Sequence, residues 1–166
     1  MLGLGKGEEM AIKKEYDEMT DVTRYFSPFV RMGGEGYFAK RIKVLAPTYV
    51  AMRVIIGISE GKVFSHLGFA RRGYDWAWAG DTSAIMLVDG VRTLGEGVLV
   101  DSSTVTTDSK VYCDEIVSLE TDLESLRTMS NASNIKFRIG QVDIVPPQEF
   151  IPSLKEILEE TKNLGK

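Results

Sequence analysis

The chain has 166 residues with 43% hydrophobic and 27% charged residues, which fits one folded domain and excludes a disordered chain. Its formal net charge of -4 argues against general attraction to the phosphates of nucleic acids, so we expect no nucleic-acid partner. The single cysteine, Cys113, excludes an intramolecular disulfide and a multi-cysteine zinc site, and we expect neither a metal nor another cofactor.

The amino-terminal segment, MLGLGKGEEMAIKKEYDEM, is rich in glycine but has neither a preceding strand nor a GK[ST] sequence, so it does not resemble a phosphate-binding loop. We expect residues 1–15 to be a flexible segment and residues 16–166 to form one globular domain. No signal-peptide core is present, and no apolar run approaches the roughly 18 residues that cross a bilayer. We expect a soluble protein without a transmembrane segment, cytoplasmic as written, or periplasmic if a signal precedes this sequence.

Strand patterns dominate the chain up to about residue 117. DVTRYFSPFV has alternating and aromatic character that breaks at Pro28, and RMGGEG is typical of a loop. YFAKRIKVLAP, residues 37–47, predicts a strand that pairs through a short turn with YVAMRVIIGIS, residues 49–59. In this second strand Tyr49, Ala51, Arg53 and Ile55 alternate with Val50, Met52, Val54 and Ile56. We expect its apolar end to enter the core.

The next segment, GKVFSHLGFARRGYDWAWAGD, continues the strand pattern. Trp76 and Trp78 lie two residues apart, which in a strand places them on the same face. Residues 84–88 are almost continuously apolar and predict a strand that is buried on both faces. VRTLGEGVLVDSS and KVYCDEIVSL predict two further strands.

Asp89 and Gly90 stand between two apolar runs. An Asp-Gly pair in this position indicates a hairpin, because both central residues of a type I′ turn need positive φ. We therefore interpret Asp89 as a turn residue and not as a catalytic carboxylate.

The last third of the chain changes to a helical period. In SLETDLESLRTMSNAS, Thr121 and Glu124 fit a capping box, which predicts a short helix over residues 121–132. NIKFRIGQVDIV predicts a strand pair or a bent strand, and a final helix follows Pro146 and Pro147. The fold class is therefore α+β, mainly an antiparallel β-sandwich or curled sheet with two short helices in the C-terminal third.

The candidate binding residues lie in FARRGYDWAWAGD. Arginine and aromatic side chains are enriched where proteins hold ligands or partners. The candidates are Arg71, Arg72, Tyr74, Trp76 and Trp78. The alternative is that the two tryptophans fill the core of the sheet and the arginines form the turn before them.

Catalytic motifs are sparse. His66 is the only histidine, and no GxSxG sequence supports a serine partner for it, so a structural role is the simpler interpretation. We interpret Cys113 as a small buried hydrophobe and the acidic groups, which include Asp114 and Glu115, as solvated charge or helix caps.

The succession YDEMTDVT, WAWAGD, IMLVDG and LETDLESLRTMSNASNIKFRIG before a terminal helix resembles a group of uncharacterised bacterial β-rich proteins. In that group a strand ending in Asp-Gly is followed by a short helix, a strand close to VxxRIG and a closing helix. Some members are exported or lipid-anchored, whereas this chain has no lipobox cysteine. The resemblance implies a fold and no catalytic residues.

Two functions remain as hypotheses. The first is a non-enzymatic binding or interaction domain for a small molecule or a protein, whose contacts centre on the arginine and aromatic candidates. A homo-oligomer that forms through an exposed strand edge is compatible with this hypothesis. The second is a small hydrolase in which His66 activates a nearby serine or is paired with an aspartate. We favour the first.

Overall fold

The computed structural model describes residues 11–31, 48–164 and 166. They form a mostly antiparallel sheet with two short helices, which confirms the α+β class. The strands are β1 (Lys13–Asp17), β2 (Val22–Phe26), β3 (Val30–Arg31), β4 (Tyr49–Ser59), β5 (Lys62–Gly73), β6 (Ser83–Val88), β7 (Val91–Thr107), β8 (Lys110–Thr121), β9 (Ile135–Ile139) and β10 (Val142–Ile144). The helices are α1 (Leu123–Ser130) and α2 (Phe150–Glu160). The strand predicted at residues 37–47 and the glycines near the amino terminus lie outside the described residues.

The strands form one open sheet in the order β1-β2-β4-β5-β8-β7-β6-β9-β10, and β3 also pairs with β4. The predicted alternation in β4 is confirmed, because one set of its side chains is buried and the other, apart from the small buried side chain of Ala51, is more exposed. The buried set is Val50, Met52, Val54 and Ile56. Arg53 and Ile55 therefore lie on the face of the sheet that is opposite to the core.

The long strand β7 joins two parts of the sheet. Its residues 91–96 pair with β6, whereas residues 97–99 and 101–107 pair with β8, with a shift of register at Val100. At the change of partner, a Cβ atom on Gly97 would lie 2.5 Å from Cγ1 of Val117 and 3.1 Å from the carbonyl oxygen of Thr82. Only glycine leaves enough space for this close approach. Val98 and Val100, just beyond this point, are exposed.

The Asp89-Gly90 hairpin is confirmed. Asp89 has φ of 46° and Gly90 has φ of 85°, and the flanking strands β6 and β7 pair antiparallel. The carboxylate of Asp89 also accepts hydrogen bonds from the backbone N–H groups of Ser133 and Asn134, at 2.9 and 2.7 Å. Asp89 thus shapes the turn and also fixes it to the loop between α1 and β9.

The helical third is confirmed apart from the cap of α1. Asp122, and not Thr121, is the N-cap, because its carboxylate accepts a hydrogen bond from the N–H of Ser125 at 2.6 Å. Thr121 is still paired within β8 and accepts a hydrogen bond from the Ser65 hydroxyl through its carbonyl oxygen. The predicted capping box is therefore wrong by one residue.

Both helices bury apolar side chains against the same core. The helical residues involved are Leu126, Met129, Phe150, Leu154 and Ile157. The ring of Phe137 on β9 connects this cluster to the sheet, with ring centroids 6.4 Å from Phe150 and 5.5 Å from Phe69 on β5. None of the described helices is long and apolar enough to cross a membrane.

Candidate functional site

The segment that carries the predicted binding residues is not a strand beyond Gly73. Residues 74–82 form a loop whose backbone N–H groups turn towards the carboxylate of Glu115 on β8. The N–H groups of Ala77, Trp78 and Ala79 donate to that carboxylate at 2.9, 2.7 and 2.8 Å. The strand prediction for this segment is therefore wrong, because a distant carboxylate takes the hydrogen bonds that a neighbouring strand would have used.

Arg71 completes this buried cluster. Its guanidinium donates to the Glu115 carboxylate at 3.1 Å and to the carbonyl oxygen and carboxylate of Asp75 at 2.7 and 2.8 Å. Only 1% of the surface of Glu115 and 4% of that of Arg71 is exposed. The sequence predicts that Glu115 is solvated charge, and this prediction is wrong, because the side chain is buried. Arg71 holds the loop in place through its contacts with Asp75 and Glu115.

The two tryptophans do not share a face, because the alternation of a strand does not apply in a loop. Trp78 is fully buried, and its indole N–H donates to the carbonyl oxygen of Ile139 at 3.1 Å. Trp76 is 46% exposed. Trp78 is therefore part of the core, whereas Trp76 remains accessible.

Arg72 and Tyr74 lie on the surface at the end of β5. Arg72 makes a bidentate ion pair with Asp114, with both N–O distances at 2.6 Å, and the resulting hydrogen bonds raise the pKa of Arg72. Tyr74 is exposed, and its ring lies 5.2 Å from that of Tyr112. Of the five predicted residues, Arg72, Tyr74 and Trp76 can therefore contact a ligand or partner.

A second arginine and aromatic cluster lies on the sheet face opposite the core, around a cavity of about 430 Å³. We call this cavity the outer-face cavity. It is lined by Glu15, Arg24, Phe26, Phe29, Arg53, Ile55, Phe64, His66, Gly68, Val100, Ile116, Val117 and Ser118. Its volume lies near the lower end of the range for small-molecule sites, and its lining combines apolar side chains with a few polar groups, as such sites do.

Arg53 is the central polar group of this cavity. Its guanidinium carbon lies 4.5 Å from the ring centroid of Phe26 and 4.5 Å from that of Phe29. Ser27 places these rings, because it exchanges hydrogen bonds with the backbone of Val54 at 2.9 and 2.8 Å. Partial burial lowers the pKa of Arg53, although Glu15 opposes this effect, and the guanidinium keeps its charge at neutral pH.

The strands leave space for the Arg53 side chain. Gly68 stands directly opposite Arg53 on β5, and a Cβ atom there would lie 3.5 Å from Cγ of Arg53. Four residue pairs further along, the ring of Phe64 covers Gly57 so closely that a Cβ atom on Gly57 would lie 2.2 Å from Cζ of the ring. The two glycines thus allow an arginine and an aromatic ring to lie across neighbouring strands.

His66 belongs to the same cavity. Its Nδ1 lies 3.3 Å from Oγ of Ser118 on β8, and its ring packs edge to face against Phe64 at 5.7 Å. Partial burial lowers the pKa of His66, and the charge of Glu120, its partner in the β5–β8 pairing, raises it. Since the net direction is downward, the imidazole is mainly neutral at pH 7.

Among the residues that the structure describes, no group of three or more histidine, cysteine, aspartate or glutamate side chains could hold a metal ion. Comparison with protein-family models, with curated proteins and with solved structures finds no match to the chain.

Arg53 is the functional candidate that the sequence reasoning missed. The alternation of β4 places Arg53 and Ile55 on the face opposite to the buried set of Val50, Met52, Val54 and Ile56. An arginine within such a strand, opposite a glycine, was the available signal. The aromatic partners of Arg53 are Phe26 and Phe29, in the sequence FSPF. The sequence interpretation assigns FSPF only to the end of a strand.

Proposed function

We propose that this protein is a non-enzymatic binding domain for a small molecule and that the ligand occupies the outer-face cavity. The observation that carries this proposal is that the Arg53 guanidinium lies among aromatic rings while its N–H groups have no partner among the described residues. Its guanidinium carbon lies over the rings of Phe26 and Phe29. No described residue forms a hydrogen bond or an ion pair with its N–H groups. The guanidinium is partly buried, and none of its nitrogen atoms is among the buried polar atoms without a partner, so its donors stay accessible. A bound ligand with an acceptor group can therefore reach them, and hydrogen bonds to a charged donor are among the stronger ones.

Filling the outer-face cavity provides a direct test. Gly68→Val adds a β-branched side chain at the floor of the cavity, next to Arg53 and Ile55. We expect compounds that raise the melting temperature of the wild-type protein in a thermal-shift screen to lose this effect in the variant, because a ligand stabilises only the protein that binds it.

A double variant, Tyr74→Ala with Trp76→Ala, is the matched control, because it removes the exposed aromatics of the other candidate surface. It is expected to keep the stabilisation. If stabilising compounds act on Gly68→Val as on the wild type and fail on the double variant, the ligand site is the surface around Arg72 and the proposal is wrong.

We also infer that the sheet is strongly curled, so that its two parts face one another as in a sandwich. Phe69 on β5 contacts Phe137 on β9, although β8, β7 and β6 separate these strands along the sheet. β7 pairs with β6 up to Glu96 and with β8 from Gly97, and we infer that the sheet bends at this change of partner.

A small hydrolase is the second candidate, and the 3.3 Å contact between His66 and Ser118 favours it. The neutral imidazole would accept the proton of the Ser118 hydroxyl as its oxygen attacks an acyl carbon. Ser118 lies in mid-strand, however, and pairs with Gly68 on one side and Val98 on the other. The surrounding ladder uses the N–H groups that would otherwise stabilise an oxyanion, so we favour binding.

A fluorophosphonate probe separates the two candidates, because it labels only activated serines. A hydrolase requires labelling at Ser118 that disappears in Ser118→Ala and falls sharply in His66→Gln. We expect no labelling above that of the heat-denatured protein, and labelling at Ser118 detected by peptide mass spectrometry would overturn this expectation.

A further inference from the structure

We infer that the ligand of the outer-face cavity is a carboxylate attached to an apolar group, held by the N–H groups of Arg53; this inference rests on the proposed binding function. The guanidinium carbon lies 4.5 Å from each of two phenylalanine ring centroids, and its N–H groups have no hydrogen-bond partner among the described residues. These donors form a flat fork that matches the two oxygens of a carboxylate.

The charges around the cavity favour a monoanion over a phosphate dianion. Arg53 and Arg24 are its cations, and Glu15 lies among the lining residues with Lys13 as its ion-pair partner at 2.6 Å. Glu120 faces His66 across the β5–β8 pairing, and the imidazole is mainly neutral. Arg24 stands opposite Glu15 in the β1–β2 pairing, whereas Arg53 stands opposite Gly68, which carries no charge. One negative charge is therefore compensated at Arg53, whereas a second would meet the two glutamates.

The remaining lining residues favour a ligand whose carboxylate is attached to an apolar group. Ile55, Phe64 and Ile116 are among the apolar lining residues of the cavity, and the Cζ end of the Phe64 ring lies over Gly57. A cavity of about 430 Å³ has room for a single aromatic ring or a short branched chain beyond the carboxylate. Aromatic rings pack well against such a wall in offset or edge-to-face geometry.

Four probes test the inference by titration of the full chain, followed by NMR and by calorimetry. They are 3-phenylpropanoate, 3-phenylpropanamide, acetate and phenyl phosphate. We expect 3-phenylpropanoate to bind at least roughly tenfold more tightly than each of the others. The amide lacks the charge, acetate lacks the ring, and phenyl phosphate brings a second negative charge.

Arg53→Met is expected to lower the affinity for 3-phenylpropanoate at least roughly tenfold and to leave that for the amide unchanged, since methionine keeps the apolar contact and removes the fork. Arg53→Lys keeps the charge and is expected to recover only part of the affinity. Arg92→Gln, which removes a surface arginine of the β6–β7 hairpin outside the cavity, is the control and should bind as the wild type does.

The outcomes separate this inference from the proposed function. Equal binding of the acid and the amide, with both lost in Gly68→Val, would refute the carboxylate and keep the binding function. Tighter binding of phenyl phosphate would refute the monoanion. If none of the four probes shifts the resonances of the cavity residues, the inference is wrong, and the compound screen still decides the proposed function.

Discussion

Replacement of Glu115 by alanine is expected to lower the free energy of unfolding by about 3–5 kcal/mol, the range for removing one partner of a buried ion pair. The carboxylate accepts hydrogen bonds from Arg71 and from the N–H groups of residues 77–79. Without it the guanidinium of Arg71 keeps its contacts with Asp75 but loses its buried counter-charge. The three N–H groups also lose their acceptor in a place with little access to water.

Urea denaturation followed by circular dichroism measures this loss. Glu115→Gln is the informative second variant, because its amide oxygen can still accept from one or two donors while its NH₂ group faces the others. We expect an intermediate loss for it. Asp114→Asn, at the neighbouring, partly exposed pair with Arg72, is the control and is expected to cost much less. Similar losses for Glu115→Ala and Asp114→Asn would show that the buried cluster does not organise the loop.

The elements that the sequence predicted well depend on residues close together in the chain. The Asp89-Gly90 turn requires positive φ at adjacent positions, and α2 follows from apolar side chains at helical spacing. The loop of residues 74–82 was predicted wrongly, because its acceptor, Glu115, is 36 to 38 residues further along the chain. The aromatic residues of YDWAW alternate with a period of two, which is typical of a strand. Only the position of the Glu115 carboxylate shows that this segment is a loop.

The candidate site was predictable only in its residue types. Arginine next to aromatic side chains describes both the predicted set and the outer-face cavity, and of the predicted set the structure leaves Arg72, Tyr74 and Trp76 accessible. The outer-face cavity requires that Phe29, ahead of β3, and Arg53 on β4 come together through strand pairing. Pairing partners across residues 32–47 cannot be deduced from alternation alone, because alternation gives the face of a residue and not its neighbour.

Trp78→Ala is expected to lower the free energy of unfolding by about 3–5 kcal/mol, whereas Trp76→Ala is expected to change it by less than about 0.5–1 kcal/mol. The reason is that Trp78 is fully buried and donates to Ile139, while Trp76 is 46% exposed. Trp78→Phe retains a ring but leaves the carbonyl oxygen of Ile139 without this donor, so its loss should be intermediate. The measurement is urea denaturation of all three variants.

Fluorescence gives an independent measurement, because the chain has only two tryptophans. In folded Trp76→Ala the remaining Trp78 should emit at short wavelength and resist quenching by acrylamide, since the core excludes water and quencher. In folded Trp78→Phe the remaining Trp76 should emit at longer wavelength and be quenched readily. If both tryptophans are quenched alike and their alanine variants are equally stable, Trp78 does not lie in the core, and a ligand surface that includes both tryptophans regains its support.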